Sequence, residues 1–167
     1  MTTVTGDENS NNLFGTIESN TILGGGGNDV IVALAGDDRV FGEEGNDNLI
    51  GATGNDVVSG GNGNDFISGT QTSSTDRERD TLFGGGGNDV FVLGFGGDIY
   101  YDSNTDSDLA IIEDFQSGAD KIQLTGSADR YTLTTFGSNT NIYSGEDELI
   151  AIVKSNPNLS FADVNFV

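Results

Sequence analysis

The sequence predicts an all-β chain built as a stack of short parallel strands joined by tight turns, and two observations carry that prediction. The first is a period of nine. From Gly6 to Ser68 an acid or amide recurs at Asn11, Asn20, Asp29, Asp38, Asp47, Asp56 and Asp65. Two residues after each, an apolar side chain recurs at Leu13, Ile22, Ile31, Val40, Leu49, Val58 and Ile67. A period kept this strictly marks a structural repeat. The second observation is composition. Of 167 residues, 34% are hydrophobic and 26 are glycine, so a large conventional core is excluded and the backbone is costly to order. Against 6 Lys and Arg stand 27 Asp and Glu, a formal net charge of −21. That balance leaves a chain disordered unless the charge is neutralised.

One nonamer, Gly42 to Ile50, shows the unit. Its first six residues, Gly42-Glu43-Glu44-Gly45-Asn46-Asp47, read as a turn, with glycines where positive φ is needed. Its last three, Asn48-Leu49-Ile50, read as a short strand in which Leu49 points one way and its neighbours the other. Two such units facing each other close a coil, and stacked coils pair strands in parallel at roughly 4.8 Å. Turns of alternate nonamers then stack, placing Asp29, Asp47 and Asp65 in one column and Asp38, Asp56 and Asp80 in another. Carboxylates at that spacing repel unless cations lie between them. With no Cys and no His, only hard oxygen ligands remain, and irregular carboxylate and carbonyl ligands suit Ca²⁺ better than Mg²⁺.

These nonamers resemble the Gly-Gly-x-Gly-x-Asp-x-apolar-x repeat of the RTX (repeats-in-toxin) calcium-binding family. The resemblance implies a right-handed parallel β-roll in which each Ca²⁺ lies between turns two nonamers apart, held by turn carbonyls and shared aspartates. Carried over, the aspartate ligands are Asp29, Asp38, Asp47, Asp56, Asp65, Asp80, Asp89 and Asp98. The carbonyl ligands are those of Gly24, Gly25, Gly27, Gly36, Gly42, Gly45, Gly51, Gly54, Gly60, Gly61, Gly63, Gly84, Gly85 and Gly87. Asn11 and Asn20, neutral and weaker, and Asp114 and Asp120 beyond the repeats are secondary candidates. About six to eight ions are expected.

The roll is expected over residues 6–101. The stretch Gly69 to Phe83 is six residues longer than a nonamer, which places a surface insertion at about 70–79; a docking loop is the alternative. Gly84 to Val92 restores the repeat with Asp89 and Phe91, and Leu93 to Tyr101 reads as a degenerate copy with Asp98 and Tyr100. Residues 102–124, with Asp114-Phe115 and Asp120-Lys121-Ile122, are similar to the segment that closes the roll in RTX proteins. An array needs such a cap over its last strand edges. Residues 125–167 alternate apolar and polar residues as in a strand meander, ending in Phe161-Ala162-Asp163-Val164-Asn165-Phe166-Val167. That ending resembles the uncleaved C-terminal signal of type I export; an ordinary last strand is the plainer reading.

The expected function is a secreted calcium-binding protein that folds on binding Ca²⁺ outside the cell. A polysaccharide-binding accessory module, similar to the repeat modules of alginate-modifying enzymes, is the alternative, although no aromatic platform for sugar stacking stands out. Catalysis is not expected, since without His or Cys only carboxylates remain and nothing sets a pair at a defined distance. Nor does a chain of repeats and cap leave room for a catalytic domain. The acidity disfavours nucleic acid and anionic membranes. Residues Met1 to Glu8 lack the basic and apolar runs of a cleaved signal peptide, and no stretch reaches the length of a membrane span. The outward ninth places, including Phe14, Val32, Ile50, Leu23, Phe41 and Phe83, predict that one outer face is covered, by the C-terminal meander or by another copy of the chain.

Overall fold

The computed structural model describes residues 1–71, 78–101, 108–145 and 148–167. Its strands, numbered in chain order, alternate between two facing sheets. One takes β1 (Thr2–Thr5), β3 (Asn20–Gly26), β5 (Arg39–Glu44), β7 (Val57–Asn62) and β9 (Arg79–Gly86). The other takes β2 (Asn12–Phe14), β4 (Val30–Ala35), β6 (Asn48–Thr53), β8 (Phe66–Ser68) and β10 (Val90–Val92). All these pairings are parallel, and the chain is a parallel β-roll.

Register is set by the apolar period. Ile22 pairs with Val40 and Val40 with Val58, while Ile31 pairs with Leu49 and Leu49 with Ile67. A slip of one residue would turn each of these side chains outward. Ile22, Ile31, Val40, Leu49, Val58, Ile67, Leu82 and Phe91 are all fully buried between the sheets, so the core is a ladder one side chain wide per strand. Across the insertion the register offset grows from 18 to 24, as in Val58 with Leu82 and Ile67 with Phe91. The six added residues therefore leave the ladder undisturbed. Of the expected insertion, 72–77 lie outside the described residues.

Leu93 to Tyr101 departs from expectation. It forms an antiparallel hairpin of β11 (Gly94–Phe95) and β12 (Asp98–Ile99), not a further coil. Leu93 stands where the first-place glycine is expected, while Gly96 and Gly97, both at positive φ, make a tight reversal. The ladders resume with β13 (Leu109–Ile112) beside β9 and β14 (Lys121–Leu124) beside β10.

The C-terminal strands β15 (Tyr131–Phe136), β16 (Asn139–Ser144) and β17 (Glu148–Val153) form the expected antiparallel meander. It does not lie across an outer face. Instead β17 pairs with β13, and β18 (Val164–Phe166) pairs with β14, so the C-terminal region extends both ladders past the last coil. The reason is that β13 and β14 leave unpaired backbone edges, which a strand satisfies and a face does not need. The ninth-place residue Phe14 is 60% exposed and Val32, Ile50, Leu23, Phe41 and Phe83 are half-buried, so the expectation of a covering meander is corrected.

Candidate metal centre

Each turn ends in its sixth-place acid, and the strand that follows fixes that acid's height in the stack. The side chains then join into two edge columns. Along one, Asn11 N donates to Asp29 Oδ1 (2.8 Å), Asp29 N to Asp47 Oδ1 (2.7 Å), Asp47 N to Asp65 Oδ1 (2.8 Å), Asp65 N to Asp89 Oδ1 (3.0 Å) and Asp89 N to Asp120 Oδ1 (3.0 Å). Along the other, Asn20 N donates to Asp38 Oδ1 (2.6 Å), Asp38 N to Asp56 Oδ1 (2.8 Å) and Asp56 N to Asp80 Oδ1 (2.8 Å). One oxygen of every aspartate thus ties its coil to the coil before it.

The second oxygen is the informative one. Oδ2 of Asp29, Asp38, Asp47, Asp56, Asp65 and Asp89 is buried and has no hydrogen-bond partner. A buried carboxylate oxygen left unmatched is costly, and a repeated one calls for a cation. The backbone around it is shaped to match. A Cβ placed on Gly42 would lie 2.2 Å from Asp47 Oδ2 and 2.5 Å from the Gly60 carbonyl oxygen of the next coil. Gly24 (Asp29 Oδ2 and Gly42 O), Gly51 (Asp56 Oδ2 and Gly69 O) and Gly60 (Asp65 Oδ2 and Gly84 O) repeat that cradle. Glycine at the first place therefore keeps clear a space bounded by a carboxylate and a carbonyl. At the fourth place Gly45 has φ 130°, and a Cβ there would lie 1.7 Å from the Gly27 carbonyl oxygen. Gly27, Gly36, Gly54, Gly63 and Gly87 share this positive φ, as do Gly25, Gly61 and Gly85 at the second place. A hard divalent cation taking carboxylate and carbonyl oxygens fits this donor set. Among the described residues no three acids converge into a cage of side chains alone, so carbonyls must complete any coordination shell.

Electrostatics point the same way. Burial pushes Asp56 up to about 8, with the like charges of Asp80, Asp38 and Glu78 adding to it. Burial likewise raises Asp80 to about 7 and Asp65 and Asp89 to about 6. Asp38 and Asp47 shift upward for the same reason. Burial thus favours the protonated form of these shifted carboxylates, and a cation beside them would favour the ionised one.

Other candidates are sorted by what their side chains already satisfy. Asn11 Oδ1 accepts from the amide of Asp7 and Asn20 Oδ1 from that of Thr16, each turning back onto its own turn. Asp120 is buried at the foot of its column, its Oδ2 accepting from Gln116 N (2.8 Å). Asp114 departs from an ion-facing role: its Oδ1 accepts from Gly84 N (2.8 Å) and its Oδ2 from Gly85 N (3.0 Å), so it caps the last regular turn. Asp98 is corrected outright. It is exposed on the antiparallel hairpin and belongs to neither column, because the chain reverses there and no coil carries it to an edge.

Three residues outside the repeat pattern join the second edge. Asp80 Oδ2 accepts from the hydroxyl of buried Tyr101 (2.6 Å), and Glu78 and Asp108 are buried beside it. Their signal in the sequence was faint. Glu78 stands two places before Asp80, but Asp108 follows a stretch in which no period sets the register. The fold also assembles a groove of about 280 Å³ on the outer face of the second sheet, lined by Phe66, Phe95 and Tyr100 with Asn48, Gln71 and Gln123. No sequence period links those aromatics.

Residues 5–40, 41–75 and 68–100 match the family described as RTX calcium-binding nonapeptide repeat (4 copies). No curated protein matches the chain. Among solved structures it is similar to the AlgE6R3 subunit of the Azotobacter vinelandii mannuronan C5-epimerase, at 22% identity and a TM-score of 0.39, over 96% of this chain and 80% of that one. It is also similar to the AlgE6R2 subunit of the same enzyme, at 19% identity and a TM-score of 0.34, over 98% and 91%. A third is the extracellular lipase LipA of Serratia marcescens, at 14% identity and a TM-score of 0.34, over 93% of this chain and 40% of that one.

Proposed function

We propose that this chain, which belongs to the RTX calcium-binding nonapeptide repeat family, is a secreted binding protein and not an enzyme, and that Ca²⁺ in the external medium drives its folding. The observation that carries the reading is the row of buried, unpartnered aspartate Oδ2 atoms, of which those of Asp29, Asp47, Asp56, Asp65 and Asp89 each face a space kept open by a first-place glycine, while Ala33 takes that place before Asp38. Asp29, Asp47, Asp65 and Asp89 would hold ions on one edge and Asp38, Asp56 and Asp80 on the other, with turn carbonyls completing each shell.

The energetics favour a switch. With site dissociation constants near 1 mM, as in extracellular modules, about 10 mM free calcium stabilises by roughly 1.4 kcal/mol per site. About six sites give roughly 8 kcal/mol, comparable to the stability of a whole domain, whereas micromolar calcium gives almost none. About six ions also change the formal charge from −21 to about −9 (−21 + 12), relieving self-repulsion. A chain unfolded inside the cell suits passage through a type I exporter, for which the C-terminal Asp163-Val164-Asn165-Phe166-Val167 would serve as signal. Far-UV circular dichroism during a calcium titration tests the reading. The expected result is a cooperative, chelator-reversible transition from coil to sheet between micromolar and about 10 mM calcium. A full sheet spectrum in excess chelator would sink it.

One observation favours a second reading, a binding module for uncharged polysaccharide. The outer groove sets Phe66, Phe95 and Tyr100 among the amides of Asn48, Gln71 and Gln123, a combination able to stack on a sugar ring and hydrogen-bond its hydroxyls. Retention on immobilised neutral glycans that is lost in Phe66→Ala supports this reading, and no retention on any of them removes it.

A further inference from the structure

On the edge that carries Asp38, Asp56 and Asp80, two turns are wired differently. In regular turns the fourth-place amide donates to the third-place carbonyl of the turn stacked on it, as Gly36 N does to Thr53 O (2.9 Å), Gly45 N to Asn62 O (2.8 Å) and Gly63 N to Gly86 O (2.7 Å). The amide of Gly54 donates instead to Glu78 Oε1 (3.1 Å). Glu78, two residues before Asp80, itself holds the fourth place, and its amide donates to Asp108 Oδ1 (2.8 Å). In two successive turns the fourth-place amide thus meets a carboxylate oxygen.

A carbonyl brings a partial charge to an ion, a carboxylate a full one and a second oxygen. Asp108 is 1% exposed and its Oδ2 has no hydrogen-bond partner, as for the Oδ2 of Asp56 on the same edge. Tyr101 closes the column beyond them. Its hydroxyl lies 2.1 Å from the position a Cβ on Gly69 would take, where the equivalent position on Gly51 meets the Gly69 carbonyl oxygen at 2.6 Å. The phenol thus occupies the place of the next coil's carbonyl and holds Asp80 Oδ2.

We propose that the carboxylates of Glu78 and Asp108 are cation ligands, taking over in two successive turns the place that backbone carbonyls hold elsewhere on the edges. Each is one ligand among turn oxygens, in keeping with the absence of a three-acid cage among the described residues. This rests on the reading that the edges bind calcium, and deepens it. This end of the edge carries more negative charge per ion than the regular turns, so it fills first and gains most from a trivalent ion. Tyr101, hydrogen-bonded to Asp80, stands close enough to sensitise the luminescence of terbium bound there.

The test is a Tb³⁺ titration of the intact chain with excitation of tyrosine, alongside calcium calorimetry. The wild-type chain should show sensitised emission with the first equivalents of Tb³⁺. Glu78→Gln and Asp108→Asn keep the oxygens that accept from the Gly54 and Glu78 amides while removing the charge. Each should move that early midpoint to about tenfold higher Tb³⁺, as loss of a charged ligand does, while the remaining calcium sites keep their stoichiometry. Tyr101→Phe should abolish the early emission and leave the calorimetric stoichiometry unchanged. An unmoved midpoint in both carboxylate variants overturns the proposal, as does early emission that survives Tyr101→Phe. If both variants lose the sheet signal even in saturating calcium, the two carboxylates belong to the fold and the proposal is again overturned. Failure of the wild-type chain to bind calcium at all would instead remove the reading on which the proposal rests.

Discussion

Asp47→Asn separates the ion-binding role of a column aspartate from its structural one. Asp47 Oδ1 accepts from Asp29 N at 2.7 Å, while Oδ2 is buried without a partner beside the Gly42 cradle and the Gly60 carbonyl. Asparagine keeps the first oxygen and puts a neutral amide nitrogen in place of the second, next to that carbonyl. The ladder hydrogen bond survives; the charge does not. Because Asp47 lies between Asp29 and Asp65 in its column, two sites lose a ligand. At about 1.4 kcal/mol each in about 10 mM calcium, the loss is roughly 3 kcal/mol. For a chain of this size that lowers the calcium-loaded melting temperature by roughly 6–12 °C. Melting followed by circular dichroism in calcium gives the shift, and calorimetric stoichiometry should fall by about two ions. Asn11→Ala is the control, since Asn11 Oδ1 already accepts from Asp7 N, and it should lose at most one weak site. Equal losses from the two variants, or an unchanged stoichiometry in Asp47→Asn, would refute shared ligation along the column.

Metal-free stability should run opposite to calcium affinity with pH. The column carboxylates have folded values raised by burial from 3.8, to about 6 for Asp65 and Asp89, about 7 for Asp80 and about 8 for Asp56. The folded form therefore holds more protons than the unfolded one, and their contribution, full below pH 3.8, is lost as pH rises through 6 to 8. In chelator the sheet signal should be strongest near the acid end and fade toward pH 8, while calcium affinity rises over the same window; a metal-free sheet signal that grows with pH would contradict this. A third prediction concerns second-place residues that stand at positive φ without being glycine. Ala52 has φ 82°, so Ala52→Gly should stabilise the calcium-loaded form by roughly 1 kcal/mol in chemical denaturation, and a loss of stability would show that the turn tolerates Cβ. Finally, one residue inserted between Thr53 and Gly54 should cost far more calcium-induced sheet than deletion of residues 72–77, because only the insertion shifts a paired register. Equal damage would mean that the inserted segment is structural.

The sequence by itself determined the repeating part of this protein. A nine-residue period fixes which side chain faces inward, as Leu49 does, and which acid reaches the edge, as Asp47 does, because strand alternation and stacking leave no other arrangement that buries one and pairs the other. The fold and the two edge columns that run through Asp29 to Asp89 were legible for that reason. Where the period stops, local signals cannot choose between partners far apart in the chain. Leu93 to Tyr101 carries Asp98 and Tyr100 at the expected places, yet Gly96 and Gly97 turn it into a hairpin and leave Asp98 exposed. The meander was readable as strands, but its docking beside β13 depended on which edge stood open at the end of the stack. Asp108 could be placed next to Glu78, and Tyr101 on Asp80, only by the tertiary structure. These contacts span 30 and 21 residues across interrupted coils, and nothing in the intervening residues repeats to set their register.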